Sequence, residues 1–190
     1  LTVKFKEENL KWHNKYFYAF KDYPEKTIIT IDDDLQYNHH SISKLVMFNK
    51  NHSGWISFNR GNLIAKEKPY SSWPFVDDMT TPCYNAFPTG VGGVLYPPYS
   101  CGPMVTNIHI IKQTCLRADD LWLNFNSRFN GTKVVQTDLK STYMVLPQSS
   151  QLFALWTTNN SDSNNGNDEQ ISLISKWATD ELGCDFFVNV

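Results

Sequence analysis

The stretch TIITIDDDLQY, from Thr27 to Tyr37, constrains this chain more than any other. Thr27 to Ile31 is β-branched throughout, which favours a buried strand. The run stops at three consecutive aspartates, whose like charges repel one another. Beyond them, Ser41 is placed to cap a helix that carries Ile42, Leu45, Val46 and Phe48 at helical spacing. Strand, acidic turn and helix in that order predict the corner of an α/β sheet where ligand groups sit, beyond the carboxyl end of a central strand.

The rest of the chain continues the alternation. Thr2 to Phe5 reads as a strand, and Lys11 to Tyr23 is aromatic-rich and helical in part. Gly54 ends the helix that begins at Ser41, and Trp55 to Asn59 reads as the next strand. Residues 66–103 are rich in Pro, Gly, Ser and Thr, so a long irregular region of the kind that carries function is expected there. Ala118 to Phe129 reads as a helix with Asp119 and Asp120 in its first turn, and Lys133 to Gln136 as a short strand. After the polar run TTNNSDSNNGNDEQ, Asn167 or Asp168 caps a last helix carrying Ile171, Ile174 and Trp177, which Gly183 stops. Alternating strands and helices predict a layered α/β domain. At 190 residues the whole chain, 1–190, is expected to be one domain with a real core.

Charge and cysteine usage narrow the partners. A net charge of −2 excludes a nucleic-acid backbone as the main partner. Aromatic residues at 14% suit a carbohydrate or nucleoside binder as well as a dense core. Cys83, Cys101, Cys115 and Cys184 form no Cys-x-x-Cys pair, which argues against zinc. In a chain able to fold on its core they read as reduced thiols of a cytosolic protein. No apolar run approaches the roughly 20 residues that span a bilayer, and the opening LTVKFKEENLKW holds no signal-peptide core.

Three segments bear chemistry. In an extended chain Asp32 and Asp34 point the same way and Asp33 points elsewhere. Their hard oxygens suit Mg²⁺ or Mn²⁺ shared with a diphosphate. A solvated acidic turn capping the next helix explains them as well. In NAFPTGVGGVLYPP, Gly90, Gly92 and Gly93 let backbone approach a ligand closely or adopt positive φ, or simply form a turn before Pro97 and Pro98. In CLRADDLWL, Asp119 and Asp120 start a helix, where one can cap and the other serve as general base.

Taken together, YPEKTIITIDDDLQY, FPTGVGGVLYPP, RADDLWL and NGNDEQI resemble successive motifs of bacterial glycosyltransferases with the GT-A fold, of the capsule and lipopolysaccharide biosynthesis type. The resemblance runs over about residues 10–178, in the same order. It implies a mixed sheet flanked by helices, a nucleotide-sugar donor, a glycan or lipid-linked acceptor, Mn²⁺ or Mg²⁺, and no nucleic acid. It also implies a cytoplasmic site, at the inner face of a membrane through peripheral association. By motif match Asp32 and Asp34 hold the metal and Asp33 belongs to the donor site with Thr89, Gly90, Gly92 and Gly93. Asp120 is the base, with Asp119 its alternate. Asn167 and Asp168 match a late polar motif without an assigned role. Relatives carry a strand–helix–strand segment that grips the base, ahead of the part matching Leu1 to Phe20. The resemblance therefore implies that this sequence is the metal and acceptor part of such an enzyme.

The expected reaction is displacement at an anomeric carbon, with Asp120 taking the acceptor proton while the ion neutralises the leaving diphosphate. Two rival readings use the same residues. One is a metal-dependent phosphohydrolase or nucleotidyltransferase. The other is a non-catalytic, glycan-binding remnant. Tyr96, Trp73 and Trp122 offer sugar-stacking faces, although aromatics in a chain of this kind are first of all core.

Overall fold

The computed structural model describes residues 8–137, 143–145 and 166–190. The strand expected at Thr2 to Phe5 and most of the polar run after Trp156 lie outside them. Strand β1 (Ile28–Thr30), β2 (Leu35–Tyr37), β3 (Ile56–Phe58), β4 (Gly61–Leu63), β5 (Ala86–Pro88), β6 (Val94–Tyr96), β7 (Val134–Gln136) and β8 (Tyr143–Val145) alternate with helices α1 (Phe17–Asp22), α2 (Ser41–Lys50), α3 (Ile108–Thr114), α4 (Asp119–Phe129) and α5 (Gly166–Leu182). A 3₁₀ turn, Lys11–Lys15, precedes α1.

The main sheet is mixed and four-stranded, in the order β1-β6-β3-β7. β6 runs antiparallel to both β1 and β3, while β3 and β7 are parallel. β2 pairs β8, and β4 pairs β5, in two antiparallel ribbons. The architecture is thus α/β with a mixed sheet and helices. The irregular region expected over 66–103 contains β6, a central strand buried at all three positions. Proline and glycine flank this strand rather than interrupt it, so composition hid it.

Two expectations around the triplet are corrected. β1 is not central: among the described strands it lies at the sheet edge, its first two residues half-buried and Ile31 exposed. β-branched side chains suit an edge as well as a centre, so the run could not tell them apart. Nor does a helix follow the aspartates directly. Residues 33 and 34 form a turn, β2 follows, and α2 starts later with Ser41 inside its first turn and without a side-chain cap. On α2 only Leu45 is buried; Ile42, Val46 and Met47 face solvent.

The core forms where α4 and α5 meet the sheet. α4 is buried from Leu121 to Arg128, with Trp122 and Phe125 fully enclosed and stacked on one another. Ile171, Ile174 and Ala178 are the buried face of α5, and Trp177 closes against Trp122 and Phe125. Each large side chain so enclosed contributes roughly 1.5–3 kcal/mol of burial. This rigid α4 is what carries the acidic pair of its first turn to the sheet.

Candidate active site

The site is assembled by a cation that sequence reasoning overlooked. Lys15 closes the 3₁₀ turn Lys11–Lys15. Two residues earlier, His13 is fully buried, and its Nε2 donates to the carbonyl of Cys115 at 2.8 Å. That leaves Nδ1 to accept from the Tyr16 hydroxyl at 2.8 Å. Burial pushes the His13 pKa down, which keeps the ring neutral for this double role. The turn is thereby pinned to the chain just before α4, and Lys15 points at the α4 start.

The Lys15 ammonium lies 2.6 Å from Asp32 Oδ1 and 3.3 Å from Asp119 Oδ2. The Asp119 contact is one of charge, since Oδ2 has no hydrogen-bonding partner. Burial pulls the Lys15 pKa down, but Asp119, Asp120 and Asp32 outweigh it and hold the group protonated. Asp120 turns the other way, as adjacent positions about 100° apart on a helix require. Both of its carboxylate oxygens accept from the Gly90 amide at 3.1 Å. Neither aspartate caps α4. Arg117, just before α4, reaches Glu169 on α5 at 3.2 Å.

The glycine loop fits into this cluster. A Cβ at residue 90 would lie 2.9 Å from Lys15 Nζ, 3.2 Å from Asp120 Oδ1 and 3.8 Å from Asp32 Oδ1. Glycine at this point is what lets backbone, ammonium and two carboxylates converge. Thr89 is buried against Arg60, Gly92 packs on the Arg60 backbone, and Gly93 leaves the turn at φ +85° toward β6. Tyr37 ties the triplet to the same loop: its hydroxyl accepts from the Asp32 amide and donates to the Val91 carbonyl, both at 3.0 Å.

Of the expected residues, Asp32, Gly90, Asp119 and Asp120 thus come together, and Thr89, Gly92 and Gly93 frame them. Asp33 is exposed and Asp34 half-buried in the turn. Because that turn is not extended, the argument that placed Asp32 and Asp34 on one side by strand alternation does not apply. Asp168 neither caps α5 nor joins the site; it lies in the first turn of α5 and accepts from the Tyr70 amide at 2.9 Å. Asn167 stands beside it in that turn. Trp73, Tyr96 and Trp122 are core residues, each under 5% exposed.

The pKa of Asp120 is pushed up to about 7. Burial of the carboxyl is the largest cause, then the like charge of Asp119, opposed by Lys15 and the Gly90 amide. Some surface of the residue remains open to solvent. A carboxyl near pH 7 is matched to proton transfer at neutral pH.

A metal finds limited support. Among the described residues no group of three or more His, Cys, Asp or Glu side chains is disposed to hold an ion. A Mg²⁺ shared with substrate phosphates needs only one or two protein carboxylates. Of the triplet, Asp32 is paired with Lys15 and Asp34 is half-buried in the turn. Among the described residues no helix is long and apolar enough to cross a membrane, and all four cysteines are free.

No family model matches this chain, and no curated protein or solved structure is similar to it.

Proposed function

We propose that this cluster belongs to a glycosyltransferase of the GT-A type, which moves a sugar from a nucleotide-diphosphate donor to a hydroxyl of a glycan or lipid-linked acceptor. One observation carries the reading. Three segments distant in sequence, at Asp32, Gly90 and Asp119–Asp120, converge on one ammonium, Lys15.

The chemistry follows from those residues. Asp120, held by the Gly90 amide and poised near pH 7, accepts the proton of the acceptor hydroxyl as it attacks the anomeric carbon. Lys15, bridging Asp119 and Asp32, offsets the repulsion between the carboxylates and holds that side of the site in place. Asp34 and Asp32 would hold Mg²⁺ or Mn²⁺, with Asp33 turned to the donor. Such an ion, when bound, neutralises charge on the leaving diphosphate.

The test is incubation of the purified protein with a panel of nucleoside-diphosphate sugars, Mn²⁺ and candidate acceptors, with separate readouts for glycoside and for inorganic phosphate. Glycoside formation that Asp120→Asn abolishes supports the proposal. Phosphate release without glycoside assigns the site to a phosphohydrolase instead. No heat on titration with UDP or GDP plus Mn²⁺ at millimolar ligand refutes the donor site.

A further inference from the structure

Lys15 has its counter-charges in Asp32 and Asp119, but Arg60 has none among the described residues. Arg60 lies in the bend between β3 and β4, half-buried, beside Thr89, the neighbour of Gly90. Its backbone is clamped: its carbonyl accepts from the Thr89 amide at 3.0 Å and from the Thr89 hydroxyl at 3.2 Å. Gly92 presses on it so closely that a Cβ at 92 would lie 2.7 Å from the Arg60 Cβ. The side chain is held too. The guanidinium stacks over the Phe75 ring, 4.8 Å from its centroid, and Phe75 is fixed by a bridge with Asn62. Its polar contact is a long one, 3.5 Å from Nη1 to Thr89 Oγ1. It makes no ion pair with any carboxylate among the described residues. Asp77 and Asp78, which follow Phe75 in sequence, form no ion pair with it.

A guanidinium carries five N–H donors in a planar fork. Near several carboxylates, such a group would ordinarily be neutralised by one of them. Here Asp32 and Asp119 are taken by Lys15, and Asp120 by the Gly90 amide. The fork is oriented by stacking, clamped through its backbone, and left with open donors beside Thr89, whose neighbour Gly90 holds the candidate base. Phe75 itself is 68% exposed, an aromatic face beside a cation without an ion-pair partner among the described residues.

We infer that Arg60, with Phe75 as its support and Thr89 beside it, is a phosphate-binding site next to the acidic cluster. The guanidinium fork matches two phosphate oxygens, a pairing that also fixes orientation. The choice of phosphate over another anion rests on the transferase reading; the open, oriented cation does not. The phosphate has two sources in that reaction, the diphosphate of the donor or the diphosphate of a prenyl-linked acceptor. Arg60 thus acts as a binding residue, apart from the acidic triplet and independent of divalent metal.

The test is calorimetric titration in EDTA, so that no binding runs through a metal, with three probes: inorganic pyrophosphate, UDP and a short prenyl diphosphate. Wild-type protein should bind pyrophosphate, and Arg60→Gln should weaken it by about tenfold, the worth of one charge-assisted pair. Arg60→Lys keeps the charge without the fork and should fall between them, and Phe75→Leu should weaken binding with the charge intact. Circular dichroism and thermal melting check that each variant folds. A loss confined to UDP assigns the phosphate to the donor, and a loss confined to the prenyl diphosphate assigns it to the acceptor. Pyrophosphate binding that depends on Arg60, with neither organic probe binding better than pyrophosphate, supports the anion site while it counts against the transferase reading. Wild-type protein that fails to bind any probe at millimolar concentration, or Arg60→Gln that binds all three like wild type, overturns the inference.

Discussion

The two ends of α4 bury charge in opposite ways. At its N-terminus Asp119 and Asp120 face Lys15 and the Gly90 amide, at a site that keeps some contact with solvent. At its C-terminus Arg128 is 1% exposed and pairs with no carboxylate among the described residues; Nη2 donates to the Phe186 carbonyl at 2.8 Å, and the guanidinium lies 4.8 Å over the Phe186 ring. Burial pulls the Arg128 pKa down to about 9, still well above neutrality. Acid at the helix start and base at its end both suit the helix dipole. The difference lies in what completes each charge. At the N-terminus, ionisable groups balance one another and can exchange protons with a ligand. At the C-terminus a carbonyl and a ring seal a cation that titrates far from physiological pH. The first is the arrangement of a reactive site, the second that of a structural lock on the C-terminal segment.

If that contrast is right, damage at the two ends should separate activity from stability. The largest effect is expected for Asp120→Asn: transfer should fall by about 10²–10⁴ while donor binding persists, because a general base is removed and shape is kept. A transfer assay beside calorimetry reads both. Next comes Arg128→Ala, which should cost roughly 2–4 kcal/mol by removing a buried hydrogen bond and ring contact. Chemical denaturation measures it, and activity per folded molecule should be unchanged. A loss of transfer without loss of stability would break the comparison.

Lys15→Met should stand between these two kinds of effect. It leaves Asp32 and Asp119 without their cation, at a cost of about 2–3 kcal/mol in a site that remains partly solvated. Unlike Arg128→Ala it should also impair activity. Lowering the pH sharpens the contrast further. The folded-state pKa of Asp120 lies above its unfolded value of 3.8, at about 7. The folded protein therefore holds that proton more tightly, so this residue's contribution to stability is full below about 4 and is lost as pH rises through about 7. Transfer should follow the opposite course, falling below about pH 7 as the base is protonated. Melting curves between pH 5 and pH 8 should show the stability slope in wild type and its reduction in Asp120→Asn. The smallest effect is expected for Gly90→Ala. Its Cβ would crowd the end of the flexible Lys15 side chain at 2.9 Å, so a shift of a few tenths of an ångström and a modest loss of activity are expected.

Local signals carried the elements well. Ala118 to Phe129 was expected as a helix and forms over Asp119–Phe129, since its apolar spacing and its acidic first turn agree. The β-branched run gave β1, and Gly183, at φ +69°, ends α5 as expected. β6 was missed because its three residues lie between a glycine turn and a proline pair, where composition reads as loop. The candidate site was legible in its acids and glycines but not in its cations. Lys15 stands among Trp12, His13, Tyr16 and Phe17, a stretch whose signal is aromatic packing. A lone cation inside a buried aromatic segment was the available clue.

The sequence alone determined which residue types were available and the bounds of some elements, among them α4 and the end of α5, because propensity and glycine conformation act over a few neighbours. It determined that acids would gather beyond β1 and at the start of α4. Tertiary structure decided the rest. It set β1 at the edge of the described sheet, sent Asp119 and Asp120 to different partners, and put Lys15 between two of the acidic segments. It also left Arg60 oriented and without an ion-pair partner among the described residues. Those outcomes rest on charge and packing between segments far apart in the chain, and such interactions exist only once the core has fixed the elements against one another.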